Sequence, residues 1–215
     1  MNSIAPITSL TSTLTGYFKK DGKPIPVNQI TSNVIENAIM GLEVISERGA
    51  GLLNFVSTYR RLTKIPILVI NNFNVNNWLN NIKILLYDKL EENKINLDIV
   101  VSKHLLSLDG DEKLLTQVVL NLIYNAIDAL SDKDEKRIIN INADKINQNL
   151  VQIAVANNGK IIPAEILEKI FIPFFTTKKD GSGIGLSLSK QIIQLHDGYI
   201  YVESDNSETR FVIVI

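Results

Sequence analysis

Residues 111–131, D-E-K-L-L-T-Q-V-V-L-N-L-I-Y-N-A-I-D-A-L-S, have helical periodicity and are apolar around most of the circumference. A helix of this kind has to be buried, so the fold must wrap a core around it. Gln117, Asn121, Tyr124, Asn125 and Asp128 fall at i, i+4, i+7, i+8 and i+11, which is one narrow polar stripe. An unpaired amide in a core costs roughly 1–3 kcal/mol. The stripe therefore either satisfies other core groups or lines a polar pocket, and the segment alone leaves both readings open.

A second constraint lies at 34–62. Ile35, Ala38, Leu42, Ile45, Gly49, Leu52, Val56 and Tyr59 alternate steps of three and four, a heptad seam that needs a partner. The partner is either the other helix of a monomeric hairpin or a second copy in a dimeric four-helix bundle. Residues 1–18 are helix-compatible, with Ile4, Ile7, Leu14 and Phe18 on one stripe. Gly22, Pro24 and Pro26 mark 19–30 as a loop, and Pro66 ends the long helix. Beyond it the pattern predicts a buried strand at 65–70, an amphipathic helix at 74–92 carrying Trp78, and strands at 95–101, 137–143 and 149–156. A loop-rich stretch at 157–183, a helix at 184–196 and strands at 198–204 and 210–215 complete the chain. Helices interleaved with strands imply a second domain, with the boundary near Thr63–Ile65.

Composition narrows the function classes. The 215 residues suit one or two domains, and 45% apolar with 21% charged residues is ordinary for a folded chain. No apolar run reaches the roughly 18–20 residues of a membrane span, and no basic-then-apolar leader follows Met1, so neither a spanning helix nor a secretion signal is expected. The absence of cysteine excludes disulfides, Cys–zinc sites and thiol chemistry. A net charge of −1 argues against a nucleic-acid partner. His104 and His196 are the only histidines, too few for a His cluster.

The glycine cluster G-S-G-I-G-L, Gly181–Leu186, opens directly into the periodic helix at 184–196. Closely spaced glycines let a backbone curl around a ligand, and the free N–H groups of a helix start attract phosphate. The spacing fits neither the P-loop nor the dinucleotide fingerprint. Alone, the cluster reads as a flexible loop. Thr176, Thr177, Lys178 and Lys179 just upstream add hydroxyls and two cations, a donor supply that suits a polyphosphate. Asn158-Gly159 is a turn signal after a strand, and by itself no more than a loop.

The order of these segments resembles the ATP-binding domain of sensor histidine kinases, closest to the nitrogen-regulation type, within the group that also holds type II topoisomerases, Hsp90 and mismatch-repair ATPases. N-L-I-Y-N-A at Asn121–Ala126 is similar to that family's N-box, and Asn157–Gly159 to its first glycine box. I-F-I-P-F-F-T-T-K at Ile170–Lys178 is similar to the phenylalanine box, Gly181–Leu186 to the second glycine box, and Ser207–Phe211 weakly to the last motif. Met1–Leu10 resembles the residues just after the phosphoacceptor His, with Asn2 as a motif residue and Pro6 as its kink; that His would lie about three residues before Met1, so no catalytic residue is expected in the chain itself.

The resemblance implies an α+β fold: an N-terminal helical hairpin over 1–63, half of a dimeric four-helix bundle, then an α/β sandwich over 64–215 with a mixed sheet and three main helices. It implies ATP and Mg²⁺ as cofactors. The metal would sit on Asn125, a neutral oxygen ligand of the kind Mg²⁺ accepts beside phosphates and waters. Asn121 would contact phosphate or its water. The hydrolysing relatives carry Glu there, and an amide cannot act as a general base, which favours phosphoryl transfer over ATP hydrolysis. Asn157 stands where the family has an Asp that accepts from the adenine amino group, and Ile161 stands where a glycine is common. Residues 163–183 would be the ATP lid, with Lys178 on the phosphates and Phe174 and Phe175 as packing anchors. Asp128, Gly159, Thr177, Gly181, Ser182, Gly183, Ile184, Gly185, Leu186 and Thr209 complete the implied nucleotide site.

The implied activity is Mg·ATP-dependent phosphorylation of a His on the bundle, then transfer to an Asp of a response-regulator receiver domain. The implied setting is cytoplasmic, with an inner-membrane anchor open for a longer protein and no membrane contact by these residues. A fragment without the acceptor His would bind ATP and dimerise through 1–63 without phosphorylating itself. His104 and His196 are read as structural or surface residues. The rival readings are a degenerate dimeric pseudokinase scaffold, favoured by Asn157 and Ile161, and an ATP-driven clamp, which would need a base at Asn121.

Overall fold

The computed structural model describes residues 4–63, 67–131, 133, 136–147, 150–178, 181–205 and 207–215. Asn2, Ile65, Pro66 and Lys179 lie outside the described residues. The chain divides into two compact units, Met1–Lys64 and Ile65–Ile215.

The first unit is a helical hairpin of α1 (Ile4–Phe18) and α2 (Ser32–Thr63). Pro6 falls in the first turn of α1, where a missing N–H breaks no intrahelical bond. The predicted loop at 19–30 contains two short antiparallel strands, β1 (Lys19–Lys20) and β2 (Lys23–Pro24). Asp21 and Gly22 turn them with φ of 51° and 76°, the positive pair that tight hairpins require. Leu14 packs onto α2 at Gly41, where an added Cβ would come within 2.7 Å of a Leu14 methyl, and Ala38 is buried beside it. The hairpin leaves much of the heptad seam uncovered: Leu42 is 59% and Val56 47% exposed, and Ile35 and Tyr59 are exposed as well.

The second unit is built around a five-stranded mixed sheet. In chain order it comprises β3 (Asn71–Asn74), α3 (Val75–Leu85), α4 (Tyr87–Glu92), β4 (Ile95–Val101), β5 (Ser107–Gly110), α5 (Glu112–Ala129), β6 (Arg137–Lys145), β7 (Val151–Asn157), α6 (Ala164–Leu167), α7 (Gly185–Leu195), β8 (Tyr199–Ser204) and β9 (Thr209–Val214). The sheet order is β4-β6-β7-β9-β8, with β4–β6 parallel and the other pairs antiparallel. Alternation along β6 turns Ile139, Ile141 and Ala143 to the core and Asn140 and Asn142 away. Leu79, Ile82, Leu122, Ile123, Ile192 and Ile193 from α3, α5 and α7 fill the same cluster, giving the expected sandwich with three main helices.

Two expectations are corrected here. Residues 67–70 form no strand, and Ile67, Val69 and Ile70 are exposed; the strand is the asparagine-rich Asn71–Asn74, paired with the unforeseen β5. The helix predicted over 74–92 is two helices, broken where Leu86 adopts φ −96° and ψ 1°. That break lets Leu86 and Leu90 stay buried, while Leu85 and Tyr87 are exposed. Trp78 is buried on α3, edge-on to Phe73 at 5.3 Å, and its Nε1–H donates to Thr116 Oγ1 on α5 at 2.7 Å.

Candidate nucleotide-binding site

The site grows from α5. Asp111 caps that helix, its Oδ1 accepting from the N–H groups of Lys113 and Leu114 and its Oδ2 from Val69 N–H at 3.0 Å. Burial pushes its carboxyl up, but the three backbone donors, Val69, Leu114 and Lys113, prevail and hold it below the ordinary value. His196, at the end of α7, accepts from Asp111 N–H through Nε2 at 3.0 Å and lies 2.8 Å from Ile192 O through Nδ1. Those two bonds specify the neutral tautomer with hydrogen on Nδ1. The start of α5 is thereby joined to the end of α7.

Further along α5 the stripe meets α7 and the loop that precedes it. Asn121 Nδ2 donates to buried Ser189 Oγ at 3.0 Å. Gly185, the first residue of α7, lies flat against the same amide: a Cβ there would reach Asn121 Oδ1 at 2.2 Å. Ile184 is buried at the helix start and offers no side-chain cap, so the first N–H groups of α7 are left for another acceptor. One turn beyond Asn121, Asn125 Oδ1 accepts from Lys178 Nζ at 2.9 Å, and Asp128 Oδ2 pairs with the same ammonium at 2.5 Å. Tyr124 is exposed on this face with Lys89 Nζ 4.6 Å from its ring centre.

The far end is the N-N-G turn. Asn157, 3% exposed at the end of β7, accepts from Gly159 N–H through Oδ1 at 3.0 Å and donates from Nδ2 to Thr209 O at 3.3 Å. The opposite amide orientation would set donor against donor and oxygen against oxygen, so the orientation is fixed. Gly159 passes so close to α5 that a Cβ would meet Ala129 O at 2.5 Å, and Lys160 N–H donates to that same carbonyl. Asn158 is spent on structure, accepting from Ile138 N–H and donating to Lys136 O. Buried Thr209 lies 2.8 Å from Ser204 Oγ, hydroxyl to hydroxyl.

Between these ends runs the loop that precedes α7. Ile170 is buried and Phe171 and Phe175 pack against the core, whereas Phe174 is more exposed and sits at φ 67°. Phe174 N–H donates to Gly183 O, and Gly183 has φ 67° with no room for a Cβ against the Phe174 backbone. Gly181 leaves space for Thr176 Oγ1, which accepts from Lys178 N–H. Thr177 and Ser182 are exposed, and Leu186 is half-buried against the core.

Residues 110–215 match the family model of histidine kinase-, DNA gyrase B- and HSP90-like ATPases. The sensor histidine kinase ZraS of Salmonella typhimurium is 33% identical over 162 residues, covering 75% of this chain and 34% of that protein. The catalytic domain of the histidine kinase ThkA, solved nucleotide-free, is 32% identical with a TM-score of 0.62, over 68% of this chain and 95% of that one. The chain belongs to the histidine-kinase-type ATPases. ThkA solved in complex with the response regulator TrrA matches at a TM-score of 0.66 and 25% identity, over 100% of this chain and 57% of that one. The chain spans about a third of the length of its ZraS relatives.

In this histidine kinase catalytic ATPase domain the stripe on α5 makes one contact toward the core and others toward the loop before α7. Asn121 satisfies a buried hydroxyl, and Asn125 and Asp128 meet that loop. The N-box, the second glycine box and Lys178 converge on one face of α5, and Asn157, Gly159 and Thr209 gather at its C-terminal end. Ser189 and Lys89 were not foreseen; Ser189 falls four residues after Gly185 on α7, a spacing that could have flagged it. The domain fits an ATP-type ligand. Its glycine cradle has no room for Cβ atoms, α7 opens uncapped, and an ammonium already rests on an all-oxygen pair of the sort Mg²⁺ takes.

Proposed function

We propose that this domain binds Mg·ATP and, in the whole protein, delivers the γ-phosphoryl group to a histidine on a dimerisation bundle and thence to an aspartate of a response regulator. The observation that carries the reading is the meeting of Lys178 with Asn125 and Asp128 beside the uncapped start of α7. Asn125 would hold the metal, which supplies charge neutralisation to the phosphates when bound. Lys178 Nζ and the N–H groups at the start of α7 would bind the phosphate oxygens, while Gly181, Gly183 and Gly185 let the backbone approach them. Asn157, Gly159 and Thr209 would receive the base. Asn121 is neutral and engaged with Ser189, so no side chain at that position activates water.

Residues 1–63 would be the dimerisation hairpin and 64–215 the catalytic domain. The uncovered seam at Leu42 and Val56 supports pairing with a second copy. Among the described residues no helix is long and apolar enough to cross a membrane. Neither histidine suits an acceptor role: His196 has both ring nitrogens engaged, and His104 lies on the turn between β4 and β5. The chain would therefore bind nucleotide without phosphorylating itself. The pseudokinase alternative rests on Asn157 and Ile161, yet an amide at 157 still carries both acceptor and donor groups of the kind a base needs. Calorimetric titration of the chain with Mg·ATP tests the proposal: a binding isotherm supports it, and no heat at protein concentrations near 100 μM overturns it.

A further inference from the structure

Lys178 is tied at its backbone within the loop and bonded across to α5 at its tip. Its N–H donates to Thr176 Oγ1 at 3.1 Å and its carbonyl accepts from Gly181 N–H at 3.3 Å, so the lid main chain is set at this residue. Its side chain spans from lid to α5 and places Nζ on Asn125 Oδ1 and Asp128 Oδ2. Asn125 is neutral, so the charge that draws the ammonium there belongs to Asp128. The pair is open to solvent, with 46% of the lysine and 54% of the aspartate side chain exposed. A screened pair of this kind biases a conformation without locking it.

We propose that Asp128 is the positioning residue for Lys178, and that the ammonium occupies on Asn125 the place a divalent cation takes. This rests on the reading of the pocket as a Mg·nucleotide site. Without nucleotide, Asp128 anchors the lid to α5 through Lys178. With Mg·nucleotide, Asn125 Oδ1 turns to the metal and Lys178 swings toward the phosphates, while Asp128 keeps it from drifting into solvent. Because the backbone at 178 is fixed, the exchange is a side-chain movement.

Hydrogen exchange of the Phe174, Phe175 and Lys178 amides is measured on the nucleotide-free chain as wild type, Asp128→Asn, Lys178→Met and the double variant. All substitutions are at solvent-exposed side chains, and melting curves confirm that each variant folds. Each single change is expected to speed exchange about two- to fivefold, with no further gain in the double variant. Calorimetry with Mg·ADP is run in parallel: Asp128→Asn weakens binding by a similar factor when Lys178 is present and leaves it unchanged in the Lys178→Met background. Unchanged exchange in Asp128→Asn, or additive effects in the double variant, overturns the proposal. Coupled exchange with no nucleotide binding in any variant overturns the placeholder role together with the nucleotide reading, and leaves only the anchor. Binding with uncoupled exchange sinks the anchor and leaves the nucleotide reading intact.

Discussion

The Asn121 side-chain oxygen occupies the space that a methyl group on Gly185 would need, with the two positions 2.2 Å apart. The first turn of α7 can sit on α5 because residue 185 has no side chain.

Gly185→Ala is therefore expected to be destabilising despite the better helix propensity of alanine. The propensity gain is at most about 1 kcal/mol and smaller at a helix start, whereas overpacking costs about 1–3 kcal/mol. The Asn121 amide would be pushed off Ser189 Oγ. A lower urea midpoint, with nucleotide affinity reduced at least about tenfold, is the expected result; a variant as stable and as tight-binding as wild type contradicts it.

Asp111→Ala should remove about 1–2 kcal/mol at neutral pH, since the cap of α5 and the acceptor of Val69 N–H are lost together. The pH dependence follows from the lowered carboxyl pKa. A depressed folded-state value contributes stability that is fully present above the unfolded value, near 3.8, and is lost as pH falls through the folded value. Wild type and variant should thus differ most in urea melts at neutral pH, and the difference should shrink as pH falls below 3.8. A difference that grows toward acid would reverse the sign and refute the assignment.

Asn157→Asp is expected to act in opposite directions on folding and binding. A carboxylate would place an oxygen against Thr209 O, where Nδ2 now donates, at a loss of about 1–2 kcal/mol. The same carboxylate offers an acceptor to an adenine amino group. Lower stability of the free chain with tighter Mg·ATP binding is the expected pair of results, read by urea melts and calorimetry. Tighter binding with no stability loss would mean that the Thr209 contact is dispensable.

Leu42→Glu combined with Val56→Glu should convert a dimer into a monomer without lowering the melting of the second unit. Both side chains are exposed on the hairpin, so the charge harms only a surface that a partner covers. Sedimentation velocity checks this; a wild-type chain that sediments as a monomer removes the basis for it.

Legibility in the sequence followed the range of the interaction. The α5 stripe could be read because helix period places Asn121, Asn125 and Asp128 on one face, whatever the rest of the chain does. The 65–70 region misled because an apolar run carries the local signature of a buried strand. Pairing instead fell to Asn71–Asn74, residues with poor strand propensity held by β5 and by Asn72 on Asp109. The helix break at Leu86 leaves no proline or glycine behind. The Asp111–His196 bond joins positions 85 residues apart, and the Asn121–Ser189 bond 68 apart. No periodicity reports on contacts of that separation. The motif order named candidate site residues, and only coordinates reveal which of them hold each other.

Trp78, the one tryptophan in the chain, sits between Phe73 and Thr116, wholly inside the second unit. Its fluorescence is thus a reporter with a single address, silent about the hairpin. Far-ultraviolet ellipticity, by contrast, draws heavily on the 15- and 32-residue helices of the first unit. Recorded together during denaturation, the two signals separate the melting of one unit from that of the other, with no label or truncation.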